Sequence, residues 1–169
     1  MQPTVRIMSL EETVIITDYF NSSSPEHLEL MGVDPTRLPD SAAQKRFIEL
    51  EYEKPLEQRK FVAVIWLLDD EPIGFSTAEK IQIGKHAFMH LHVVKEDLRN
   101  QGLGAACVKQ SAAIYFEQLK LQRLFCEPNA FNVAPNRTLQ KSGFTYVKTH
   151  NTVPGPLNYH QAVNRWVFE

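Results

Sequence analysis

Leu98-Arg99-Asn100-Gln101-Gly102-Leu103-Gly104 stands between a strand-like run and a long helix-like run, and its residue types suit an anion seat. A turn that opens a helix presents several unpaired backbone N–H groups to one point, and the aligned peptide dipoles add partial positive charge there. A phosphate or pyrophosphate is the natural occupant. Glycine at 102 and 104 lets the backbone approach the anion with no Cβ in the way. Arg99 could add a charge-assisted hydrogen bond. A tight turn without a ligand is the simpler reading of the same residues. Other nucleotide loops fit worse: no Gly-Lys-Ser/Thr closes a Walker loop, and no third glycine or alanine completes a dinucleotide fingerprint.

His90 and His92 are the second chemical feature. They lie two residues apart in Ala87 to Val94 (AFMHLHVV), so on a strand they share a face. An imidazole titrates near neutral pH and suits general-base work. Either histidine could equally be a packed core or surface residue. The pair supplies only two ligands and no nearby carboxylate or cysteine completes a set, so no metal is expected.

The elements that must position these groups are legible. Ala87 to Val94 reads as the strand entering the loop. Gly104, Val108, Ser111, Ala112, Tyr115 and Leu119 form one stripe of a helix leaving it. Upstream, Val5 to Met8 reads as a strand, and Ser9 with Glu12 as a capping box opening a helix to about Phe20. Pro25 begins a short helix, and Met31 to Asp40 is a loop. Asp40 or Ser41 caps a surface helix to about Glu53, with Ala43, Phe47 and Leu50 as its narrow apolar face. Lys60 to Leu68 and Ile73 to Ile81 form a hairpin about Asp69 to Pro72. Leu121 to Cys126 is a strand, and Asn132 caps a helix over Val133 to Ser142 with Gly143 just beyond it. Phe144 to His150 and a segment within Leu157 to Phe168 are the last strands. The expected class is α+β, one domain over 1–169, on a mostly antiparallel sheet.

Composition bounds the function. The chain has 169 residues, 43% of them hydrophobic and 22% charged, as in an ordinary globular protein. A net charge of -2 gives no electrostatic reason to expect nucleic acid or an acidic membrane as partner. The longest apolar run, Phe61 to Leu68, is too short to span a bilayer, and no signal peptide is read at the N-terminus. Cys107 and Cys126 read as buried thiols of a reducing cytoplasm.

Two motifs at a fixed distance resemble one family. Arg99-x-x-Gly102-x-Gly104 resembles the acetyl-coenzyme A loop of the GNAT acyltransferases. Asn132, eleven residues before Gly143-Phe144, resembles that family's second landmark. Within it the chain looks most like the branch of aminoglycoside 6′-acetyltransferases and hydroxamate-siderophore acetyltransferases, through Glu127-Pro128-Asn129, Thr152-x-Pro154-Gly155-Pro156-x-Asn158-Tyr159, and His90 placed nine residues before Arg99. Ribosomal-protein N-terminal acetyltransferases share the pattern from Asn132 to Phe144. Two departures stand out: Leu139 occupies the position where many members carry a tyrosine acid, and Asn129 replaces a frequent aspartate.

The resemblance implies a central sheet of about seven strands with about four flanking helices, splayed between two central parallel strands. It implies acetyl-CoA as cosubstrate, with pantetheine in the splay and the Val94 N–H facing the thioester carbonyl. Arg99, Asn100, Gln101, Gly102, Leu103 and Gly104 would hold the pyrophosphate. Asn132 would be an N-cap, a pantetheine partner, or both, and Asn136 and Arg137 could reach the phosphates. The implied reaction is acetyl transfer to a primary amine of a small molecule, with His90 as base and His92 as the lesser candidate. Asp34, in the loop where this family binds its acceptor, could meet a cationic amine. A protein N-terminus or lysine as acceptor, and a non-catalytic acyl-CoA sensor, remain alternatives. A cytoplasmic monomer or homodimer is expected.

Overall fold

The computed structural model describes residues 2–169; Met1, where the expected domain begins, lies outside them. In chain order the regular elements are β1 (Thr4–Ile7), α1 (Val14–Ser22), α2 (Pro25–Leu30), α3 (Ser41–Tyr52), β2 (Phe61–Leu68), β3 (Glu71–Gln82), β4 (His86–Val93), α4 (Leu103–Leu119), β5 (Arg123–Cys126), α5 (Val133–Lys141), β6 (Thr145–Thr152) and β7 (Gln161–Phe168). The seven strands form one sheet in the order β1-β2-β3-β4-β5-β7-β6. Among the described residues β4 and β5 are its one parallel pair. The class is α+β, as expected. There are five α-helices, one for each helix read along the sequence with the short one at Pro25 included, where the resemblance implied about four.

Local chemistry accounts for the element starts. The Ser9–Glu12 box is reciprocal: Ser9 N–H donates to Glu12 Oε2 at 2.8 Å, and Glu12 N–H to Ser9 Oγ at 3.3 Å. Asp40 caps α3, accepting from Ala43 N–H at 2.8 Å. The expected face of α3 is wrong. Phe47 and Leu50 are exposed, and Ile48 and Glu51 turn inward. Glu51 tolerates burial because Lys54 Nζ, at 2.6 Å, and Lys60 N–H, at 2.7 Å, both donate to it.

β2 is apolar along almost its whole length because helices cover both sheet faces. Val62, Val64 and Trp66 join Cys107, Val108 and Tyr115 of α4 and Leu139 of α5 in one core. Ala63, Ile65 and Leu67 face Ile16, Tyr19 and Phe20 of α1 and Leu28 of α2 in the other. The stripe read on α4 is buried as expected, apart from Gly104, which is half-buried. Its two polar members are satisfied there: Trp66 Nε1 donates to Ser111 Oγ at 2.9 Å, and Tyr115 OH to Ser76 Oγ at 3.0 Å. Both cysteines are buried free thiols.

The β4–β5 ladder runs only from His86↔Arg123 to Met89↔Cys126. Beyond Cys126 the chain stays with β7: Asn164 N–H donates to Pro128 C=O at 3.1 Å, and Asn129 bridges Val163. β4 continues to Val93 paired with β3 and no longer with β5, so the sheet opens between β4 and β5.

Candidate active site

A cleft of about 570 Å³ fills this opening and runs to the start of α4. Backbone direction decides what β4 offers it. Val94 N–H donates to Ile73 C=O on β3 at 2.9 Å. Alternation along an antiparallel strand then turns the main-chain groups of Leu91 and Val93 away from β3 and into the opening. The expectation that the Val94 N–H faces a thioester is therefore corrected: that donor is spent, and its side chain packs in the α1 core. The main chain of Leu91 and the Val93 N–H are what β4 turns toward the opening.

At the far end, Gly102 is the N-cap position of α4 with φ +79° and no side-chain cap. The first N–H groups of α4 thus keep their donors free. Asn100, also at positive φ (66°), helps fold the loop into a concavity of backbone N–H groups. A Cβ built on Gly102 would meet no protein atom within 4 Å, so the glycine opens onto free space. Arg99 lines the cleft and straps the loop, its Nε and Nη2 donating to Val93 C=O at 3.3 and 3.1 Å. Gln101 and Leu103 shape the turn without lining the cleft. Gln101 Nε2 donates to Asp97 C=O at 2.7 Å, and Leu103 packs on the core.

Arg137 lines the cleft, and Lys141 joins it one turn on. Asn132 occupies the N-cap position of α5 but makes no capping bond, leaving its cleft-lining side chain free for a ligand. Asn136 does not reach the cleft. Its Nδ2 donates to Asn129 C=O (3.0 Å) and Asn132 C=O (2.7 Å), and its Oδ1 accepts from Asn164 Nδ2 (3.0 Å) and Trp166 Nε1 (2.9 Å). It lies on the inner side of α5 and ties that helix to β7. Its assignment to the phosphates is corrected to a structural one.

His90 and His92 do share a face, in different surroundings. His90 Nε2 lies 2.7 Å from Oε1 of Glu79 on β3. Burial pushes the Glu79 carboxyl up, but the neighbouring His90 outweighs it and holds the group below its ordinary value. Gly155 covers the pair: a Cβ there would stand 3.1 Å from Glu79 Oε1 and 3.5 Å from His90 Cε1. Lys80 Nζ pins this loop by donating to Pro154 C=O at 2.8 Å. Glu79 was invisible in the sequence because a charged residue late in a hairpin strand reads as a solvated one.

His92 is caged by Tyr19, Phe20 and Phe75, with ring centroids 4.9–5.2 Å away. Burial, and then the charges of His90, His27 and Arg99, bring its pKa down to about 3. It is a neutral aromatic wall at pH 7. Tyr19 OH meets His27 Nε2 at 2.8 Å above the cleft. Asp34 lines neither this cleft nor the cavity beside it. Its carboxylate is held by Thr36 N–H (2.9 Å), Thr36 Oγ1 (2.7 Å) and Arg37 Nε (3.4 Å), so its assignment to an acceptor amine is corrected. Leu139 is fully buried, so the position that often carries an acidic tyrosine is core here.

A parallel pair that splays, with an uncapped helix N-terminus at its end and cations beyond it, suits an elongated ligand with an anionic phosphate-bearing tail. The chain matches the acetyltransferase (GNAT) family over residues 25–144 and belongs to it. It is an acyltransferase with acetyl-CoA as its cosubstrate. No curated protein matches the chain at the level of sequence. Among solved structures, AAC(6')-Ib in complex with ribostamycin and coenzyme A is similar with a TM-score of 0.74 at 16% identity, over 99% of this chain and 93% of that one. RimL, a ribosomal L7/L12 alpha-N-protein acetyltransferase in complex with coenzyme A, gives 0.75 at 13%, over 99% and 94%. The microcin C7 self-immunity acetyltransferase MccE, in complex with acetyl-CoA and AMP, gives 0.75 at 14%, over 99% and 92%. At these identities the likeness is one of fold. Among the described residues no helix is long and apolar enough to cross a membrane.

Proposed function

We propose that the chain, as one catalytic domain over 1–169, acetylates a primary amine of a small molecule by direct attack, with His90 as base and Glu79 holding it. The observation that carries this reading is the place of His90: it lines both the cosubstrate cleft and a second cavity on the α1 side of the sheet. A group at the junction of two cavities can take a proton from an amine in one while a thioester lies in the other.

In this reading the loop from Arg99 to Gly104 and the N-terminus of α4 hold the pyrophosphate, with Arg137 and Lys141 near the remaining phosphate. Asn132 and the main chain of Leu91 and Val93 hold the pantetheine and its carbonyl. The bound ammonium gives one proton to His90, and the freed lone pair attacks the acetyl carbon. The C–N bond forms, the carbonyl oxygen takes up charge against a β4 N–H, and the C–S bond then breaks. The nitrogen loses its second proton, and the thiolate takes one from water because Leu139 offers none. The balance is ammonium plus acetyl-CoA to acetamide, CoA thiol and one released proton. Incubation with acetyl-CoA and single amines, following thiol release and the product mass together, tests it. Thiol release matched by an acetylated amine supports it. Acetylation of only protein lysines or N-termini would overturn the small-molecule acceptor, and binding without turnover would overturn the catalytic reading.

A further inference from the structure

The second cavity, of about 460 Å³, meets the cosubstrate cleft at Met31, His90, His92 and Asn158. Its size suits a small organic molecule. Its lining is largely apolar, with Phe20, Phe61, Phe75, Ile48 and Leu157 among its walls. Phe47 stands at its edge, 44% exposed, its ring stacked on Phe61 at 5.9 Å between centroids. An exposed aromatic continuous with an apolar cavity marks a surface awaiting a ligand.

The charges in this cavity are few and have a definite pattern. Glu79 is its one carboxylate, and the other charged side chains are cations, Lys60 and Lys80. An acceptor with one ammonium can place it at the Glu79–His90 pair and lay the rest of its body on the phenylalanines. A second or third ammonium would find no carboxylate there and would approach a lysine. We infer that the acceptor is a monoamine with a hydrophobic, ring-bearing body, of the arylalkylamine class, and not a polyamine or an aminoglycoside. This rests on the reading of His90 and Glu79 as the place where the amine is deprotonated. It separates this chain by acceptor charge from AAC(6')-Ib, whose structures hold aminoglycosides.

The experiment is a kcat/KM comparison at fixed acetyl-CoA, by thiol release, with 2-phenylethylamine, 4-phenylbutylamine, spermidine, kanamycin and a peptide with a free N-terminal phenylalanine. Both arylalkylamines should exceed spermidine and kanamycin by about tenfold or more, since burying the ring and avoiding an unpaired charge act together. In the exposed-site variant Lys60→Glu, which adds a carboxylate at the rim, the ratio should move toward spermidine. Faster turnover of kanamycin or spermidine by the wild type, or a peptide preferred over both arylalkylamines, would overturn the inference while leaving catalysis intact. If acetyl-CoA binds by calorimetry yet no amine or peptide releases thiol, it is the catalytic reading that fails, and the inference with it.

Discussion

His90 Nε2 and Glu79 Oε1 lie 2.7 Å apart on neighbouring strands, diagonally and two positions out of register: His90 stands opposite Thr77, and Glu79 opposite Phe88. Diagonal neighbours on one face are within reach of long side chains. The carboxylate therefore fixes the ring orientation, and in the proposed mechanism it would support the positive charge on His90.

Glu79→Gln keeps the shape and a hydrogen bond but removes that charge. It should lower kcat by roughly 10–10²-fold, less than the roughly 10²–10⁴-fold that losing a general base itself costs, and leave KM for acetyl-CoA unchanged. A merely structural Glu79 would lower unfolding stability and leave kcat in place.

Gly102 is held at φ +79° beside open space. In Gly102→Val the β-branched residue resists that conformation, and its side chain enters the space left for the pyrophosphate. Acetyl-CoA affinity should fall more than tenfold, about 1.4 kcal/mol or more. Calorimetry on a variant with wild-type circular dichroism checks this, and unchanged affinity would remove the loop from the binding site.

Asn136→Ala tests the corrected role of that residue. It leaves Trp166 Nε1 and Asn164 Nδ2 without their acceptor. Unfolding stability should drop by about 1 kcal/mol or more, the cost of leaving two partly buried donors without their acceptor, with acetyl-CoA affinity unchanged. Chemical denaturation and calorimetry separate the two effects.

These corrections mark where sequence stops being informative. The turn from Arg99 to Gly104 and the stripe of α4 were readable because glycine spacing and helical period are local properties. The inward face of α3 and the inward side of Asn136 depend on what each helix packs against. The direction of the Val94 N–H depends on the pairing of β4 with β3, and a one-residue change of register reverses every such group. Glu79 joins His90 only through that same pairing, across eleven residues of sequence.

His92 gives a pH prediction with a definite sign. Its folded pKa, about 3, lies below its ordinary 6.5, so between those values the unfolded chain binds the extra proton. The stability it contributes is complete above pH 6.5 and is lost as pH falls toward 3. Denaturation midpoints from pH 7 to pH 4 should decline less steeply in His92→Leu than in the wild type. Equal slopes would mean that the imidazole is not held neutral in its aromatic cage.

The most direct measurement is the single-turnover rate of acetyl transfer by His90→Ala on the best arylalkylamine, with acetyl-CoA affinity measured in parallel. Removal of the base should slow transfer by roughly 10²–10⁴-fold while acetyl-CoA binds as before, since the loop and the start of α4 hold it. His92→Ala should lose less. A His90→Ala enzyme that transfers acetyl at the wild-type rate would contradict the assignment of the proton to His90, and with it the role of the Glu79 pair.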